Sequence, residues 1–440
     1  MSLASGRASS RPRTAVLCGI LLLWCWFAPD RMSWGAEDPD ADFSLKETVQ
    51  VGPFHMAPFF MLKDFGYDDN TRLDASRSSG DFMLTFGPGA RAVAPVGRLA
   101  AFSIWDEIDY AVFAKESDLN HVNNSLRTKL HLYLRDFTLY ADGEQNSTRE
   151  RPNTEIDFRI RSTATAGKFG TTWNPGSRGK IDLYLRRVNY HYAAGQPDLP
   201  AGSDPNAIEQ AAETANSIAA QLERNETGIG LTGSMRIRPR TSALLDLRTG
   251  RIDFANSVIN GALLQRDSAS HSVMGGLEFD PAGSLRGFFK VGVRHLAPDN
   301  PKLEGFNGLI ADASLSARLL GRGEARAVYQ RDTGFSTVGD NLFFIYGKKA
   351  LAYEHFLSSR VSLELGRQLE TVDYPVPIQV TPGNVQHRRD DIVTDKVTFR
   401  YRLGPSLRVG LSVGRWNRDS TVDLVDTSRN TITTLLEYTP

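Results

Sequence analysis

From about residue 54 to the end of the chain, apolar and polar side chains alternate with a period of two. That is the signature of strands whose two faces meet different surroundings. In the stretch 227–237, Ile229, Leu231, Met235 and Ile237 share one parity, and Gly228, Gly230, Thr232, Ser234 and Arg236 hold the other. The split recurs at Leu285, Phe289, Val291 and Val293 against Arg286, Lys290 and Arg294, and at Val393, Val397, Phe399, Tyr401 and Leu403 against Thr394, Lys396, Thr398, Arg400 and Arg402. The connections alternate as well. Tight turns such as Pro239-Arg240 and Gly404-Pro405-Ser406 take turns with longer polar loops such as 254–268 and 372–389. Short connections at one end and long ones at the other are the arrangement of an antiparallel barrel that crosses a membrane. A turn-to-turn period of roughly 40 residues also suits a β-propeller, but propeller blades carry four short strands per repeat. Here each period holds only two, both long.

The pattern predicts strands at 55–67, 81–94, 98–114, 125–134, 137–143, 153–166, 179–192, 226–238, 241–254, 269–280, 284–296, 306–319, 323–332, 341–355, 360–371, 391–403, 406–417 and 430–438. The expected fold class is therefore all-β, a single antiparallel transmembrane β-barrel of about 18 strands over 54–440, with 14 or 16 possible if the weakly patterned region 137–180 divides differently. One decision in the count rests on phase. Leu126, Leu130, Leu132 and Leu134 are even, whereas Phe137, Leu139 and Ala141 are odd. A strand cannot change parity without sending its apolar set to the wrong face, so a turn belongs near Arg135-Asp136. An even strand number puts both termini on the short-turn side, taken as periplasmic. The last strand ends on Tyr438, two places before the terminal Pro440.

One segment departs from the β pattern. Asp204-Pro205 reads as an N-cap followed by proline in the first turn, and Ile208, Ala211, Ala212, Ala215, Ile218, Ala219 and Leu222 follow at helical spacing. A helix over 205–223 is expected in a long extracellular loop, either packed there on its neighbours or folded into the mouth as a gate.

The N-terminus places the chain outside the cytoplasm. Arg7, Arg11 and Arg13 precede an apolar run from Val16 to Phe27, too short to span a bilayer, and small residues follow at Ser33, Gly35 and Ala36. Residues 1–35 are expected to be an export signal peptide and 36–53 a periplasmic N-terminal segment. Both cysteines, Cys18 and Cys25, fall inside the leader. The exported body therefore has no thiol for disulfides, catalysis or metal. The 51 basic and 51 acidic side chains argue against a nucleic-acid partner. A mean hydropathy of −0.31 excludes a helical membrane bundle but not a barrel, which exposes apolar side chains only at alternate positions.

The run Glu223-Arg224-Asn225-Glu226-Thr227-Gly228, continuing through Met235-Arg236-Ile237-Arg238-Pro239-Arg240-Thr241-Ser242, resembles the putative beta-barrel porin 2 family of outer-membrane proteins. Gly66-Tyr67-Asp68-Asp69-Asn70, closing the first strand, is similar to that family's opening motif. The resemblance spans roughly residues 50 to 440. It implies a Gram-negative outer-membrane location, insertion by the barrel-assembly machinery, and an association with exopolysaccharide synthesis and export, including exosortase-linked systems. No catalytic residues come with it.

The remaining constellations carry little chemistry. Gly228-Ile229-Gly230-Leu231-Thr232-Gly233 spells a dinucleotide fingerprint but lies inside a strand rather than between a strand and a helix. Asp68, Asp69, Asn70 and Asp74 suit a calcium loop less well than an ordinary polar hairpin. The eight histidines show no zinc spacing, and neither His131 nor His355 has a serine elbow in the sequence. No catalytic residue, cofactor or metal is expected. If the apolar parity faces lipid, the other parity places Arg127, Lys129, Arg159, Arg161, Arg286, Lys290, Arg294, Arg326 and Lys396 in the lumen with Glu155, Asp157, Asp246, Glu278, Asp312, Glu324 and Glu364. Arg236, Arg238, Arg318, Arg400, Arg402 and Arg408 share that parity beside short turns, where they would form a basic ring at the periplasmic mouth. Such a ring could guide anions, or the same arginines could pair with carboxylates and brace the wall. Three functions fit: a porin for polysaccharide or small anionic solutes, alone or completed by a periplasmic export partner; a non-conducting docking barrel; and a membrane-embedded hydrolase.

Overall fold

The computed structural model describes residues 49–74, 78–193, 204–256, 258–259, 262–263, 265–280, 282–319, 321–381, 383–422 and 425–438. The expected leader and most of the segment before residue 54 lie outside these residues. Eighteen antiparallel strands form the wall: β1 Phe54–Asp68, β2 Asp81–Val96, β3 Ala100–Phe113, β4 His121–Tyr133, β5 Phe137–Glu150, β6 Ile160–Trp173, β7 Gly179–Ala193, β8 Arg224–Arg238, β9 Thr241–Phe254, β10 Ser268–Phe279, β11 Leu285–Pro298, β12 Phe306–Leu319, β13 Gly323–Phe335, β14 Phe343–Phe356, β15 Val361–Asp373, β16 Arg389–Arg402, β17 Leu407–Ser420 and β18 Thr427–Tyr438. Each pairs with its sequence neighbours, and β18 returns to β1 through Phe60↔Tyr438 and Asp68↔Thr431. Closure leaves no free edge along the wall, which a bilayer demands because it offers no water to unpaired backbone groups. Where β18 stops, the short strand Val49–Val51 turns back at Gly52 and pairs with 54–56. It covers the edge that β1 would otherwise present.

The parity expected from the sequence is the one that sorts the two faces. Leu183, Leu231, Leu245, Val273, Val291, Leu351, Leu365 and Leu411 are all exposed on the outside, as lipid-facing side chains must be. Tyr133, Phe137, Trp173, Phe356, Tyr401 and Tyr438 form an exposed aromatic belt near the short turns, with Phe65, Tyr67, Phe82 and Tyr110 near the long loops. No helix among the described residues is long and apolar enough to cross a membrane; the crossing is made by strands.

One glycine of the supposed nucleotide fingerprint has a structural reason. Gly230 lies beside the inward-facing Tyr184, and a Cβ there would collide with the ring. Gly66 has a similar origin at the seam. A bulge shifts the β1 register between Leu62 and Phe65, after which the chain runs so close to β18 that a Cβ at Gly66 would strike the Ile432 carbonyl.

The weakly patterned region required a correction. β5 runs on to Glu150 and β6 begins only at Ile160, so 153–159 is loop, not strand. The outward positions Gln145, Ser147, Thr163, Thr165 and Gly167 carry no apolar alternation to mark the strands. As a result Arg161 lies on the outward parity and is exposed, while Glu155, Asp157 and Arg159 belong to the loop. The helix α1, Pro205–Leu222, forms as expected, with the Asp204 side chain accepting a hydrogen bond from the Asn206 amide at 2.8 Å.

Candidate functional site in the barrel lumen

Eight short turns, 97–99, 134–136, 174–178, 239–240, 280–284, 320–322, 357–360 and 403–406, lie at one end of the wall, and nine longer connections lie at the other. At the long-loop end the segment 151–159 leaves the wall between β5 and β6 and reaches across the mouth. Asn153 starts it with a tight turn, its Oδ1 accepting from the amides of Glu155 (3.0 Å) and Ile156 (3.2 Å). Glu155 Oε1 then accepts from the Ser336 hydroxyl (2.8 Å) and the Thr337 amide (2.8 Å) in the connection between β13 and β14, eight strands away. Asp157 is held bidentately by Arg418 of β17, at 2.7 and 2.9 Å. Arg418, only 1% exposed, also donates to the carbonyls of Thr154 (2.9 Å) and Val425 (2.8 Å). Arg151 and Arg159 both donate to the Thr71 carbonyl at 3.1 Å. The loop is thus tied to three separate sectors of the ring.

Apolar packing seals the same loop from above. Ile156 and Ile160 are buried with Ala219 and Leu222 of α1, against Phe158, Tyr192 and Ile218. Arg266 donates to the Gln221 carbonyl (3.0 Å) at the end of α1 and to the Ser336 carbonyl. Of the two readings kept open for the helix, packing on its neighbours is the arrangement seen, and the segment reaching across the mouth is the adjacent 151–159. Burial pushes the Glu155 carboxyl above the usual range, opposed by its hydrogen bonds from Ser336 and Thr337 and by the Arg388 charge. Burial also pulls Arg266 down to about 10, with Glu155 opposing.

The family-like motifs serve this architecture. Arg224 lies over the Tyr190 ring at 4.0 Å and the Phe335 ring at 4.8 Å, and donates to the Leu222 carbonyl and to Glu226, each at 2.9 Å. It thereby ties the end of α1 to the wall. Asn70 is a clasp between the first loop and the last strand. Its amide nitrogen donates to the carbonyls of Asp74 (3.1 Å) and Ser428 (3.0 Å), its own backbone N–H meets Asp68 (2.9 Å), and Asp69 accepts twice from Asn430 at 2.7 Å. The carboxylates once weighed as a calcium loop close the seam instead, and no metal-holding group of His, Cys, Asp and Glu occurs among the described residues.

Below the loop the wall is charged and largely paired. Arg326 sits between Glu364 (2.8 Å) and Glu354 (3.1 Å), and Arg400 reaches the same two carboxylates at 3.1 and 3.4 Å. Arg286 pairs with Glu324 at 2.7 Å, Arg408 with Glu437 at 3.4 Å, and Lys63 with Asp109 and Glu107 at 2.5 and 2.7 Å. A recess in the wall is lined by Arg248, Lys290, Arg294, Asp312, Asp332 and Tyr346. Of the six arginines singled out for the mouth, Arg400 and Arg408 are in these pairs, while Arg236, Arg238, Arg318 and Arg402 are exposed near the short turns.

The model of the family described as "Putative beta-barrel porin 2" matches residues 48–437. The chain belongs to that family. No curated protein matches this sequence. Among solved structures, the FrpB iron transporter from Neisseria meningitidis is similar at 8% identity and a TM-score of 0.47 over 86% of this chain, which spans only 63% of the transporter's length. OpdO from Pseudomonas aeruginosa is similar at 12% identity and a TM-score of 0.47, over 90% of this chain and 98% of that one. OpdK of the same organism, solved with vanillate, gives 10%, 0.48, 88% and 98%. The porin 2 barrel described above is an outer-membrane barrel, with lipid against its apolar outer face.

Proposed function

We propose that this porin 2 barrel passes anionic solutes or acidic polysaccharide chains across the outer membrane, without catalysis. The observation supporting it is the exposed arginine set Arg236, Arg238, Arg318 and Arg402 at the short-turn mouth, beyond the neutralised pairs of the wall. Fixed positive charge at a constriction concentrates anions and repels cations. Recording ion selectivity of the refolded protein in planar bilayers tests this. Discrete anion-selective steps are expected, and selectivity should reverse when the four arginines become glutamate. Cation-selective steps from the wild type, or no change in the variant, would refute the role given to the ring.

The loop across the mouth favours a second reading, a barrel shut until a polymer passing up the lumen displaces 151–159, or one that docks a periplasmic export partner without conducting. Silent bilayers from a folded, heat-modifiable barrel, opened by deleting 153–157, would favour the gated form. Continued silence after the deletion would favour docking.

A further inference from the structure

The short-turn rim carries a charge pattern that the lumen does not use. Six of its eight turns contain an exposed arginine: Arg98, Arg135, Arg178, Arg240, Arg322 and Arg360. The carboxylates in those eight turns are Asp136 and Asp280, and Asp280 already accepts a hydrogen bond from the Ala282 amide at 2.8 Å. At the opposite end, carboxylates outnumber cations in the long connections. The balanced total therefore conceals two oppositely charged faces.

Each arginine follows or precedes an exposed apolar side chain within a few residues, among them Leu99, Tyr133, Trp173, Ile237, Leu319 and Phe356. At roughly 3.3 Å per residue of strand, that spacing puts the guanidinium groups at the level of the lipid headgroups when the apolar side chains sit in the acyl layer. A guanidinium presents a fork of donors that fits the oxygens of a phosphate. We infer that the short-turn rim is a collar that binds the phosphate groups of anionic phospholipids in the adjoining leaflet. A lipid is favoured over an acidic protein because the arginines are continuous with the surface already in contact with the bilayer. The inference needs only the barrel's span and does not depend on what passes through it.

The test is native mass spectrometry of the refolded protein in detergent, titrated with phosphatidylglycerol or phosphatidylcholine. At roughly one decade or less of binding per arginine near an anionic surface, the wild type should prefer phosphatidylglycerol by at least about tenfold, and high salt should weaken the preference. The six Arg→Gln substitutions together should reduce the preference to less than about twofold, while Arg→Lys at the same positions should retain part of it. If the sixfold variant does not fold, the two triple variants (Arg98, Arg178 and Arg322; Arg135, Arg240 and Arg360) should each lose a share of the preference. Equal binding of the two lipids by the wild type would overturn the inference. So would a folded glutamine variant that keeps the preference, or polyglutamate displacing phosphatidylglycerol from the wild type.

Discussion

Arg418→Ala should release the loop that crosses the mouth. The guanidinium makes two hydrogen bonds to Asp157 and one each to Thr154 and Val425, and it is almost wholly buried. Breaking a fully buried ion pair costs about 3–5 kcal/mol. Asp157 keeps 38% of its side-chain exposure, so solvent compensates part of the loss. About 2 kcal/mol is then removed from loop docking, which raises the undocked population roughly 30-fold. Cys18 and Cys25 both precede residue 36, so protein refolded from residue 36 onward carries no cysteine. Ile156→Cys therefore places a unique thiol in the apolar cluster beneath α1, at a position that is 3% exposed while the loop is docked. Maleimide labelling of that thiol should accelerate about 30-fold when Arg418→Ala is added, with the barrel's heat-modifiable mobility unchanged. Equal labelling rates in two folded proteins would show that Arg418 does not hold the loop.

Two further outcomes follow from burial and depth. Glu155 has its carboxyl pushed up by burial, so its contribution to docking is complete below the ordinary glutamate range and is lost as the pH rises through the elevated value. Labelling of Ile156→Cys, normalised to an exposed Ser177→Cys control, should rise with pH, and Glu155→Gln should remove that dependence; an identical slope in the glutamine variant would remove Glu155 from the account. On the lipid face, Val291→Arg at mid-strand should cost about 2–4 kcal/mol of stability in urea unfolding from vesicles, whereas Asn307→Arg near the long-loop end should cost less than about 1 kcal/mol. Equal costs would contradict the placement of the membrane.

Strands were legible wherever lipid imposed an apolar row. Val393, Val397, Phe399 and Tyr401 mark β16 because the side chains of that parity face hydrocarbon. The same rule failed at β5 and β6, whose upper outward rows are Gln, Ser, Thr and Gly. A strand that carries polar residues on both parities looks like a loop, and the true loop beside it was read as strand. Pro152, followed by the turn-forming Asn153, was the local sign of a break. What no local sign could show was where the loop goes. Asp157 meets a side chain 261 positions away, and that meeting depends on the closure of eighteen strands.

The basic ring divides along the same line between local and global information. Parity was enough to set Arg400 and Arg402 on the inner side of one strand, because parity is a property of consecutive residues. Their different environments come from other strands. Glu354 of β14 and Glu364 of β15 stand beside Arg400 because register carries them to its depth, and Arg326 of β13 completes a group of two cations and two carboxylates. A neutral group of that kind braces the wall and adds little field to the mouth, since opposite charges a few ångströms apart cancel beyond their own separation. Arg402, two residues nearer the turn, is exposed. Any net field at that mouth must then come from the arginines closest to the turns, and the inner ones matter chiefly by holding the wall in the shape that displays them.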